Sequence, residues 1–283
     1  MKRLLLAGAA FGALIAPALG ADMPLKAPAP PPTPWTGWYV GVNAGYADGD
    51  AKVDTGSTST FAFPGAGGPD LAGAITTLSN FNATANSNGF IGGGQLGWNW
   101  QVGKIWLLGF ETDIQGTTNS QGSHSIGSSS GVVGFPLNQV GQTATVSREL
   151  DYLGTVRGRV GVLAWPSLLF YATGGLAYGG VSASTNISQV LLGPSSVTPA
   201  FGSAGSYSGT LIGWTGGVGV EWMFWRGWST KIEYLHYDLG AANYGLSPIV
   251  TNAAAATPFT TNSLESNARF NGDIIRAGLN YHF

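Results

Sequence analysis

Cysteine is absent from the 283-residue chain, and charged side chains make up only 9% of it. Without cysteine the protein has neither a disulfide framework nor a thiolate metal site, and a chain of this length folds without them. Soluble domains carry about 25% charged residues, so the scarcity of charge disfavours an ordinary soluble enzyme. The 12 Lys and Arg residues are balanced by 14 Asp and Glu residues, which leaves no electrostatic basis for nucleic-acid binding.

Glycine and aromatic residues are abundant instead. The chain contains 45 Gly, 10 Trp, 10 Tyr and 13 Phe residues. So many aromatic side chains exclude an intrinsically disordered chain. The fold must therefore account for high glycine and low charge together.

Residues 1–20 have the pattern of a cleaved export signal. Lys2 and Arg3 precede an apolar run that contains Pro17 and ends in small residues at Gly20. The run is shorter than the roughly 20 apolar residues that span a bilayer, which disfavours a permanent anchor helix. We therefore expect this segment to be removed on export, so that the mature chain lies outside the cytoplasm.

Residues 21–36 form a proline-rich leader. Its prolines are Pro24, Pro28, Pro30, Pro31, Pro32 and Pro34. Proline cannot donate a backbone hydrogen bond, so the stretch cannot pair in a sheet and is expected to be extended. We predict a periplasmic leader without a folded domain.

From residue 37 to residue 283 the chain alternates short apolar and aromatic segments with stretches rich in Gly, Ser, Thr and Asn. Within the segments, apolar residues alternate with polar ones at a period of two, which predicts β-strands. Eight strands are predicted, at residues 37–46, 89–101, 105–115, 147–162, 168–181, 211–224, 228–238 and 271–283.

Short and long connections between these strands alternate strictly. The short connections are residues 102–104, 164–167 and 225–227, and the long polar ones are 47–88, 116–146, 182–210 and 239–270. This alternation is typical of barrels with short periplasmic turns and long extracellular loops. The sequence therefore predicts an all-β, eight-stranded antiparallel transmembrane β-barrel with four long extracellular loops and three short periplasmic turns. Both termini are then periplasmic.

Most of the charged residues in the middle of the predicted strands share one face. These residues are Glu111, Asp113, Glu221, Glu233, Arg157, Arg159, Lys231 and Arg276. Eight strands enclose an interior just wide enough for side chains to fill, and buried charge is tolerated when it is paired. We therefore predict an ion-pair network in the lumen. The other face carries almost no charge and has aromatic residues towards both ends, which suits lipid and its two interfaces.

A helical membrane protein is the alternative architecture. No Lys, Arg, Asp or Glu occurs between Arg159 and Glu221, and residues 160–181 are apolar enough for a membrane span. Pro166 and the glycine pair 174–175 would damage such a helix. The β-barrel is therefore favoured.

The last eight residues resemble the terminal assembly signal of outer-membrane barrels. They read Arg276-Ala277-Gly278-Leu279-Asn280-Tyr281-His282-Phe283. The resemblance implies that Gly278, Tyr281 and Phe283 are read by the barrel-assembly machinery.

Two further motifs, together with the leader, are similar to a known family. They are Thr36-Gly37-Trp38-Tyr39-Val40-Gly41 and Gly154-Thr155-Val156-Arg157-Gly158-Arg159. The family is the small surface-antigen "porin family" of alphaproteobacterial outer membranes, within the OmpA-like barrel superfamily, and the similarity covers the whole mature chain. It implies an outer-membrane location. Its members are described as envelope-stabilising barrels and sometimes as pores or haem binders.

Motifs that could indicate chemistry are weak. Residues 92–97 match a dinucleotide-binding pattern, but no βαβ unit follows them. Asp48, Asp50 and Asp54 lack the glycine and distal glutamate of a calcium loop. His236 and Asp238 share a strand face, yet no motif supplies a nucleophile. We predict no enzyme activity, no cofactor and no metal site.

Three functions remain open in the sequence. A structural, surface-exposed barrel that supports envelope integrity needs only a filled lumen and loops. A small diffusion porin needs an aqueous channel, for which eight strands leave little room. Loop binding of haem or a host partner would need residues that the sequence does not single out. The expected partners are outer-membrane lipid, lipopolysaccharide and the barrel-assembly machinery, with no nucleic acid, and the barrel is expected to be monomeric.

Overall fold

The computed structural model describes residues 35–50, 52–61, 68–118, 122–133, 135–194, 200–252 and 259–283. The predicted export signal lies outside the described residues. So does the predicted leader, except for Trp35 and Thr36.

Within the described ranges the chain forms eleven β-strands and one α-helix. In chain order they are β1 (Gly37–Asp50), β2 (Lys52–Phe61), α1 (Gly68–Ser79), β3 (Phe81–Thr84), β4 (Ser87–Val102), β5 (Trp106–Thr118), β6 (Gly122–Val132), β7 (Phe135–Trp165), β8 (Leu168–Leu192), β9 (Ala200–Trp225), β10 (Trp228–Asn252) and β11 (Phe259–His282). All of the strands belong to one sheet, and every pairing is antiparallel.

Eight of these strands close a ring in the order β1-β4-β5-β7-β8-β9-β10-β11, because β11 pairs back onto β1. The closing register runs from Tyr39 opposite His282 to Asp50 opposite Asn271. The other three strands lie outside the ring: β6 pairs with β7, β2 pairs with β11, and β3 pairs with β2. The predicted all-β barrel is confirmed, but the predicted count of eight strands omitted β2, β3 and β6.

The three short connections are turns, as predicted. Residues 103–105 join β4 to β5, Pro166 and Ser167 join β7 to β8, and Arg226 and Gly227 join β9 to β10. Gly227 has a φ of 73°, in the left-handed region that favours glycine. This end of the barrel is called the short-turn end below, and the opposite end is called the long-connection end.

The prediction of four long polar loops is wrong in extent. β7 begins at Phe135 and β8 ends at Leu192, so both reach far into the segments predicted as loops. The residues of these extensions are mainly Ser, Thr, Asn, Gln and Gly on the outward side, which are also the commonest turn formers. The opposite side alternates with small apolar residues such as Val140, Ala144 and Val146, all of which are buried.

The two faces of the sheet exchange their chemistry part-way along the strands. Near the short-turn end of β8, Phe170 and Leu176 point outward and are exposed. Beyond Val181 the apolar side chains point inward instead, and the outward residues are hydroxyls such as Ser182 and Ser184. The first part has the faces of a barrel in lipid, and the second has the faces of a barrel in water.

Two β-bulges accompany this exchange, one in β7 and one in β10. In β7, Leu153 and Leu150 are both buried although three positions separate them, and Leu239 and Ala242 show the same spacing in β10. A bulge inserts one extra residue and so shifts the alternation of a strand by one position. Gly240, at the second bulge, has a φ of 84°.

Helix α1 packs into the long-connection end. Its Ala74, Ile75 and Leu78 are buried in the apolar cluster that fills this end of the interior. The side-chain amide of Gln142 on β7 donates to the carbonyl oxygen of Leu78 at 2.8 Å.

In the ranges that the structure describes, no helix is long and apolar enough to cross a membrane. The helical alternative for residues 160–181 is wrong, because these residues belong to β7 and β8 and the turn that joins them.

Candidate functional site in the barrel lumen

The structure brings all eight predicted lumen residues into one buried layer, called the lumen network below. Each of them has at most 4% of its surface exposed. Residues two positions apart on a strand share a face, so each pair on a strand enters the lumen together. The members are Glu111 and Asp113 on β5, Arg157 and Arg159 on β7, Glu221 on β9, Lys231 and Glu233 on β10, and Arg276 on β11.

Arg157 is the hub of the lumen network. Its Nη2 donates to Glu111 Oε1 at 2.5 Å and to Asp113 Oδ2 at 2.9 Å. Its Nη1 donates to Glu233 Oε1 at 2.9 Å, and its Nε donates to Thr155 Oγ1 at 2.9 Å. One guanidinium therefore connects three carboxylates, as its planar fork of donors allows.

Arg276 and Lys231 complete this layer from β11 and β10. Arg276 Nε and Nη2 donate to Glu233 Oε2 at 2.8 Å and 2.6 Å, and Nη2 also donates to Asp113 Oδ2 at 2.8 Å. Lys231 Nζ donates to both carboxylate oxygens of Glu111 at 2.7 Å. Each of these acids is therefore shared by cations from two or more strands.

Arg159 extends the network towards the short-turn end. Its Nη2 donates to Glu221 Oε2 at 2.6 Å, and its Nη1 donates to the hydroxyl of Tyr39 at 2.7 Å. That hydroxyl in turn donates to Glu111 Oε2 at 2.6 Å. The guanidinium carbon lies 4.1 Å from the ring centroid of Tyr171, which is within cation–π distance.

Glu221 connects the network to the short-turn mouth of the lumen. Its Oε1 accepts from Ser229 Oγ at 2.6 Å and from Asn280 Nδ2 at 2.8 Å. His282 lies beside this oxygen with its Nε2 at 3.3 Å. The ring of His282 packs edge-on against Trp35, with centroids 5.6 Å apart.

Trp35 lies buried at the short-turn mouth of the lumen. It has only 1% of its surface exposed, and its Nε1 donates to the carbonyl oxygen of Pro166 at 3.0 Å. It belongs to an apolar cluster whose members are Trp35, Leu107, Leu163, Leu169, Tyr171 and Met223. The last residues of the predicted leader therefore fold into the barrel.

Amide side chains border the lumen network on its other side. Gln95 Nε2 donates to Asn280 Oδ1 at 2.5 Å, and Asn43 Nδ2 donates to Gln95 Oε1 at 3.1 Å. Gln115 Nε2 donates to Asp113 Oδ1 at 3.0 Å. Beyond these amides the interior is the apolar cluster that includes α1.

Every carboxylate oxygen of the network accepts at least one hydrogen bond from a described residue. Four acids lie among four cations, and all eight side chains are almost inaccessible to solvent. Burying a charge without a partner is strongly unfavourable, so the balance of charge and the pairing of every carboxylate are what permit ionic groups here.

Sequence reasoning missed one buried cation. Arg148 on β7 is 2% exposed, and its guanidinium carbon lies 4.6 Å from the ring centroid of Phe270. A strict count of two from Val156 places Arg148 on the outward face. The bulge in β7 turns it inward, and no local signal in the sequence marks that bulge.

The residues of the predicted assembly signal divide between the two faces. Gly278 faces the lumen, where a Cβ would lie 3.1 Å from Gln95 Nε2 and from Lys231 Cε. Tyr281 and Phe283 are exposed on the outer face, with ring centroids 5.3 Å apart. Close packing in the lumen thus explains why position 278 is a glycine. The role of Gly278, Tyr281 and Phe283 in assembly stays a prediction.

The weaker motifs do not come together as sites. Residues 92–97 lie within β4, and a Cβ on Gly97 would lie 2.3 Å from the Tyr39 ring, so its glycine serves lumen packing. His236 Nδ1 lies 2.9 Å from Asp273 Oδ1, while Asp238 pairs with an arginine, Arg269.

The side chains that could bind a metal ion are also not clustered within the described ranges. In the part of the chain that the structure describes, no group of three or more His, Asp or Glu side chains could hold a metal ion. The side chain of Asp50, one of the three aspartates considered and rejected above as a calcium loop, lies outside the described residues.

A closed antiparallel ring with an apolar outer face and a charged lumen defines an outer-membrane type of β-barrel. The chain belongs to the outer membrane protein beta-barrel domain family, whose family model matches residues 9–283. The resemblance drawn from the sequence motifs is thereby confirmed, and the protein is an outer-membrane barrel protein.

Proteins that are similar in sequence are also named as outer-membrane proteins. The chain is 32% identical to the 31 kDa outer-membrane immunogenic protein of Brucella melitensis over 289 residues, covering 100% of both chains. It is 31% identical to the 22 kDa outer membrane protein of Rhizobium leguminosarum over 179 residues, covering 62% of this chain and 65% of that one. Among solved structures, OprG from Pseudomonas aeruginosa matches with a TM-score of 0.37 and 11% identity, covering 88% of this chain and 97% of that one.

Proposed function

We propose that this protein is a structural, surface-exposed barrel of the outer membrane whose lumen is closed by its own side chains and which supports envelope integrity. The observation that carries the proposal is the lumen network. Its ion pairs cross the interior from β5, β7, β9, β10 and β11, and apolar clusters lie on both sides of it. This arrangement is a packed core that resists water and ions.

The membrane-spanning part is assigned from the outer face. In β8 the apolar outer face runs from Leu168 to Tyr178, which agrees with the 9–11 residues of a tilted transmembrane strand. Exposed aromatic side chains mark its borders, and they belong at the two membrane interfaces. The group near the short turns is Trp38, Trp100, Trp106, Trp222, Trp228, Tyr281 and Phe283, and the group towards the long connections is Tyr46, Phe90, Trp214 and Tyr234.

The orientation of the barrel in the membrane follows from the difference between its short-turn end and its long-connection end. Short turns of outer-membrane barrels lie in the periplasm and the longer end lies outside the cell. We place both termini in the periplasm and the extensions of β7 to β11, with β2, β3, β6 and α1, outside. The word immunogenic in the name of the Brucella relatives agrees with a surface-exposed end.

The expected partners of the barrel follow from the chemistry of its outer face and from its C-terminal residues. Lipid and lipopolysaccharide cover the apolar outer face, and the barrel-assembly machinery reads Gly278, Tyr281 and Phe283 during insertion. The barrel is monomeric, has no cofactor and is not an enzyme. The names of the Brucella and Rhizobium relatives describe outer-membrane or immunogenic proteins, which supports a role without catalysis.

Single-channel recording tests the closed lumen. Purified, refolded protein is inserted into planar lipid bilayers, and insertion is verified independently by flotation of the same protein with lipid vesicles. We expect no unitary conductance steps from the wild-type barrel. Reproducible steps that depend on the protein would replace this proposal with a diffusion porin.

A further inference from the structure

The outer face of the barrel has an apolar groove of about 740 Å³ that lies over strands β7, β8 and β9. Its floor consists of two rows of side chains that are paired across these strands. The first row is Val162, Phe170 and Val220, and the second row is Val160, Ala172 and Val218. Neighbouring strands lie about 4.8 Å apart, so the floor is about 10 Å wide between β7 and β9.

Larger side chains form the two walls of the groove. Trp106 on β5 forms one wall, and Ile232 and Tyr234 on β10 form the other. All three are exposed on the outer face. The floor is low between the walls because its central residue, Ala172, has only a methyl group as its side chain.

The next row towards the long-connection end is lower still. It consists of Gly158, Gly174 and Gly216, which are in register on β7, β8 and β9. A Cβ on any of them would lie at least 3.6 Å from the nearest atom outside the adjacent residues, so packing within the barrel does not require glycine here. Gly219 on the inner face of β9 differs, because its Cβ would lie 2.5 Å from the ring of Tyr171. The low row therefore extends the groove without serving the lumen.

The lining of the groove suits an apolar occupant. Of the described outward side chains that line it, only Trp106 and Tyr234 carry a polar atom, and the Tyr234 hydroxyl already donates to Asp273 Oδ1 at 2.6 Å. A water-soluble ligand would lose hydrogen bonds to water here without replacing them. The groove also lies within the outer face assigned above to the membrane, which includes Phe170 and Ala172 of β8. Its surroundings are therefore hydrocarbon chains.

Exposed cations lie at the short-turn end of both walls. Lys104 is two positions before Trp106, and Arg226 is two positions before Trp228, the first residue of β10. Among the residues that the structure describes, every acid outside the lumen network lies in the half towards the long-connection end. These acids are Asp48, Asp50, Asp54, Asp70, Glu149, Asp151, Asp238, Glu265 and Asp273. The short-turn end of the groove is therefore positively charged, which favours a phosphate group there.

We propose that the groove binds one phospholipid, whose acyl chains lie on the floor and whose phosphate group lies at the short-turn end, where Lys104 and Arg226 attract it. The inference rests on the proposed function in one respect. Because that function places the short turns in the periplasm, the phospholipid belongs to the periplasmic leaflet. A concave apolar surface with a few polar groups at one end is the usual form of a ligand site, so this lipid is held more firmly than those around the rest of the barrel.

Two other occupants fit the groove less well. Lipopolysaccharide would enter from the opposite leaflet with its phosphate groups near Tyr234, where the carboxylate of Asp273 would repel them. A second copy of this chain, related by a two-fold axis, would present the same groove. Two concave surfaces that face each other leave a space between them, so the copies would pack poorly.

Retention of lipid by the full-length protein tests the proposal. The protein is refolded in detergent, incubated with phosphatidylglycerol, exchanged repeatedly into fresh detergent and measured by native mass spectrometry. We expect one phospholipid to remain bound to each protein molecule. In Ala172→Phe/Val218→Phe, which fills the floor of the groove, we expect at least tenfold less retained lipid.

The matched control makes the same two changes elsewhere on the outer face. Val42→Phe/Ala277→Phe alters exposed residues of β1 and β11, which lie outside the groove. We expect this variant to retain lipid as the wild type does. Heat-modifiable migration on gels verifies that both double variants are folded.

Two lipids with identical acyl chains test the charged end of the groove. Phosphatidylglycerol carries a phosphate group and diacylglycerol does not, so we expect the wild-type protein to bind the first at least tenfold more tightly. Lys104→Gln/Arg226→Gln should remove most of that preference and leave the binding of diacylglycerol unchanged. Lys52→Gln, which alters a cation at the long-connection end, should keep the preference.

A photoreactive lipid locates the site in the wild-type protein, independently of the folding of any variant. The probe is phosphatidylglycerol with a diazirine at the end of one acyl chain. We expect its crosslinks to concentrate in peptides that contain Val160, Ala172 or Val218.

Several results would overturn the inference. They are an absence of retained phospholipid, equal retention by the two double variants, equal binding of phosphatidylglycerol and diacylglycerol, or crosslinks spread evenly around the barrel. Competition by lipopolysaccharide would assign the groove to the opposite leaflet, and a dimer that is lost in Ala172→Phe/Val218→Phe would assign it to a second copy. Binding in detergent is independent of orientation and conductance, so surface labelling of Ser125→Cys on whole cells tests the proposed function separately.

Discussion

Arg157 and Glu233 form an ion pair across the lumen, with Arg157 Nη1 donating to Glu233 Oε1 at 2.9 Å. The two residues lie on β7 and β10, which are separated in the ring by β8 and β9. The pair therefore connects walls of the barrel that share no ladder hydrogen bonds. Such contacts connect separate parts of the barrel wall in addition to the strand ladders.

Removing Arg157 should destabilise the barrel. Arg157→Ala leaves Glu111, Asp113 and Glu233 with one fewer cation in a region without water, and breaking a buried pair typically costs about 3–5 kcal/mol. We expect a loss of that order in the free energy of unfolding, measured by denaturant titration in detergent. Arg276→Ala should act in the same direction.

The control is Arg269→Ala, because Arg269 is 58% exposed in its ion pair with Asp238. Surface ion pairs contribute little, so we expect nearly wild-type stability. Wild-type stability of Arg157→Ala as well, together with altered ion selectivity in bilayers, would show that water solvates the lumen.

Gly278 provides a steric test of the same layer. It lies opposite Lys231 in the β10–β11 register, and a Cβ would lie 3.1 Å from the Cε and Cγ atoms of Lys231. Gly278→Val should displace Lys231 from Glu111 and lower thermal stability, because overpacking typically costs about 1–3 kcal/mol. In the matched variant Gly94→Val the side chain points outward, where a Cβ would lie no closer than 3.9 Å to the carbonyl oxygen of Gly41, and we expect an unchanged melting temperature. Equal melting temperatures for both variants would contradict the close packing.

Trp35 should contribute to stability although it precedes β1. It is buried against His282 and the apolar cluster of the short-turn mouth. Trp35→Ala should lower the free energy of unfolding by about 3–5 kcal/mol, as for other buried large side chains. Trp225, which is 71% exposed, gives the control variant Trp225→Ala, for which we expect only a small change. If both variants unfold alike, the mouth is not closed by Trp35.

Deletion of Phe283 tests the assembly signal. Phe283 is 75% exposed and its ring packs against Tyr281, while its backbone nitrogen donates to the carbonyl oxygen of Trp38 at 3.0 Å. If the assembly machinery reads this residue, the deletion should leave export intact and lower the yield of folded, heat-modifiable protein in the outer membrane. Refolding of the purified variant in detergent should be nearly normal. A normal yield in cells would remove Phe283 from the signal.

The membrane-spanning half of the fold was predictable because its two faces differ strongly. Apolar residues such as Val156 and Val160 alternate with Arg157 and Arg159, and charge is tolerated only inside. The local sequence of each strand therefore determines which of its faces points into the lumen. The i, i+2 spacing of Arg157 and Arg159 places both arginines there. All eight residues of the predicted network lie there.

The half of the fold towards the long-connection end was poorly predicted because the contrast between its two faces is weak. Its outward Ser, Thr and Asn residues alternate with Ala, Val and Thr, and the same residues are typical of loops. The bulge in β7 also shifts the alternation by one position, so that Arg148 turns inward. The strand β6 has no local signal in the sequence either.

The sequence by itself determined the class of protein, the short turns and the eight charges of the lumen network, because these depend on the environment of each residue along one strand. The tertiary structure alone decided which cation meets which acid, how far the strands extend, and that Arg148 points inward. Those features depend on residues distant in sequence that ring closure brings together, such as Arg157 with Glu233, and strand pairing across a closed ring is not encoded in any single segment.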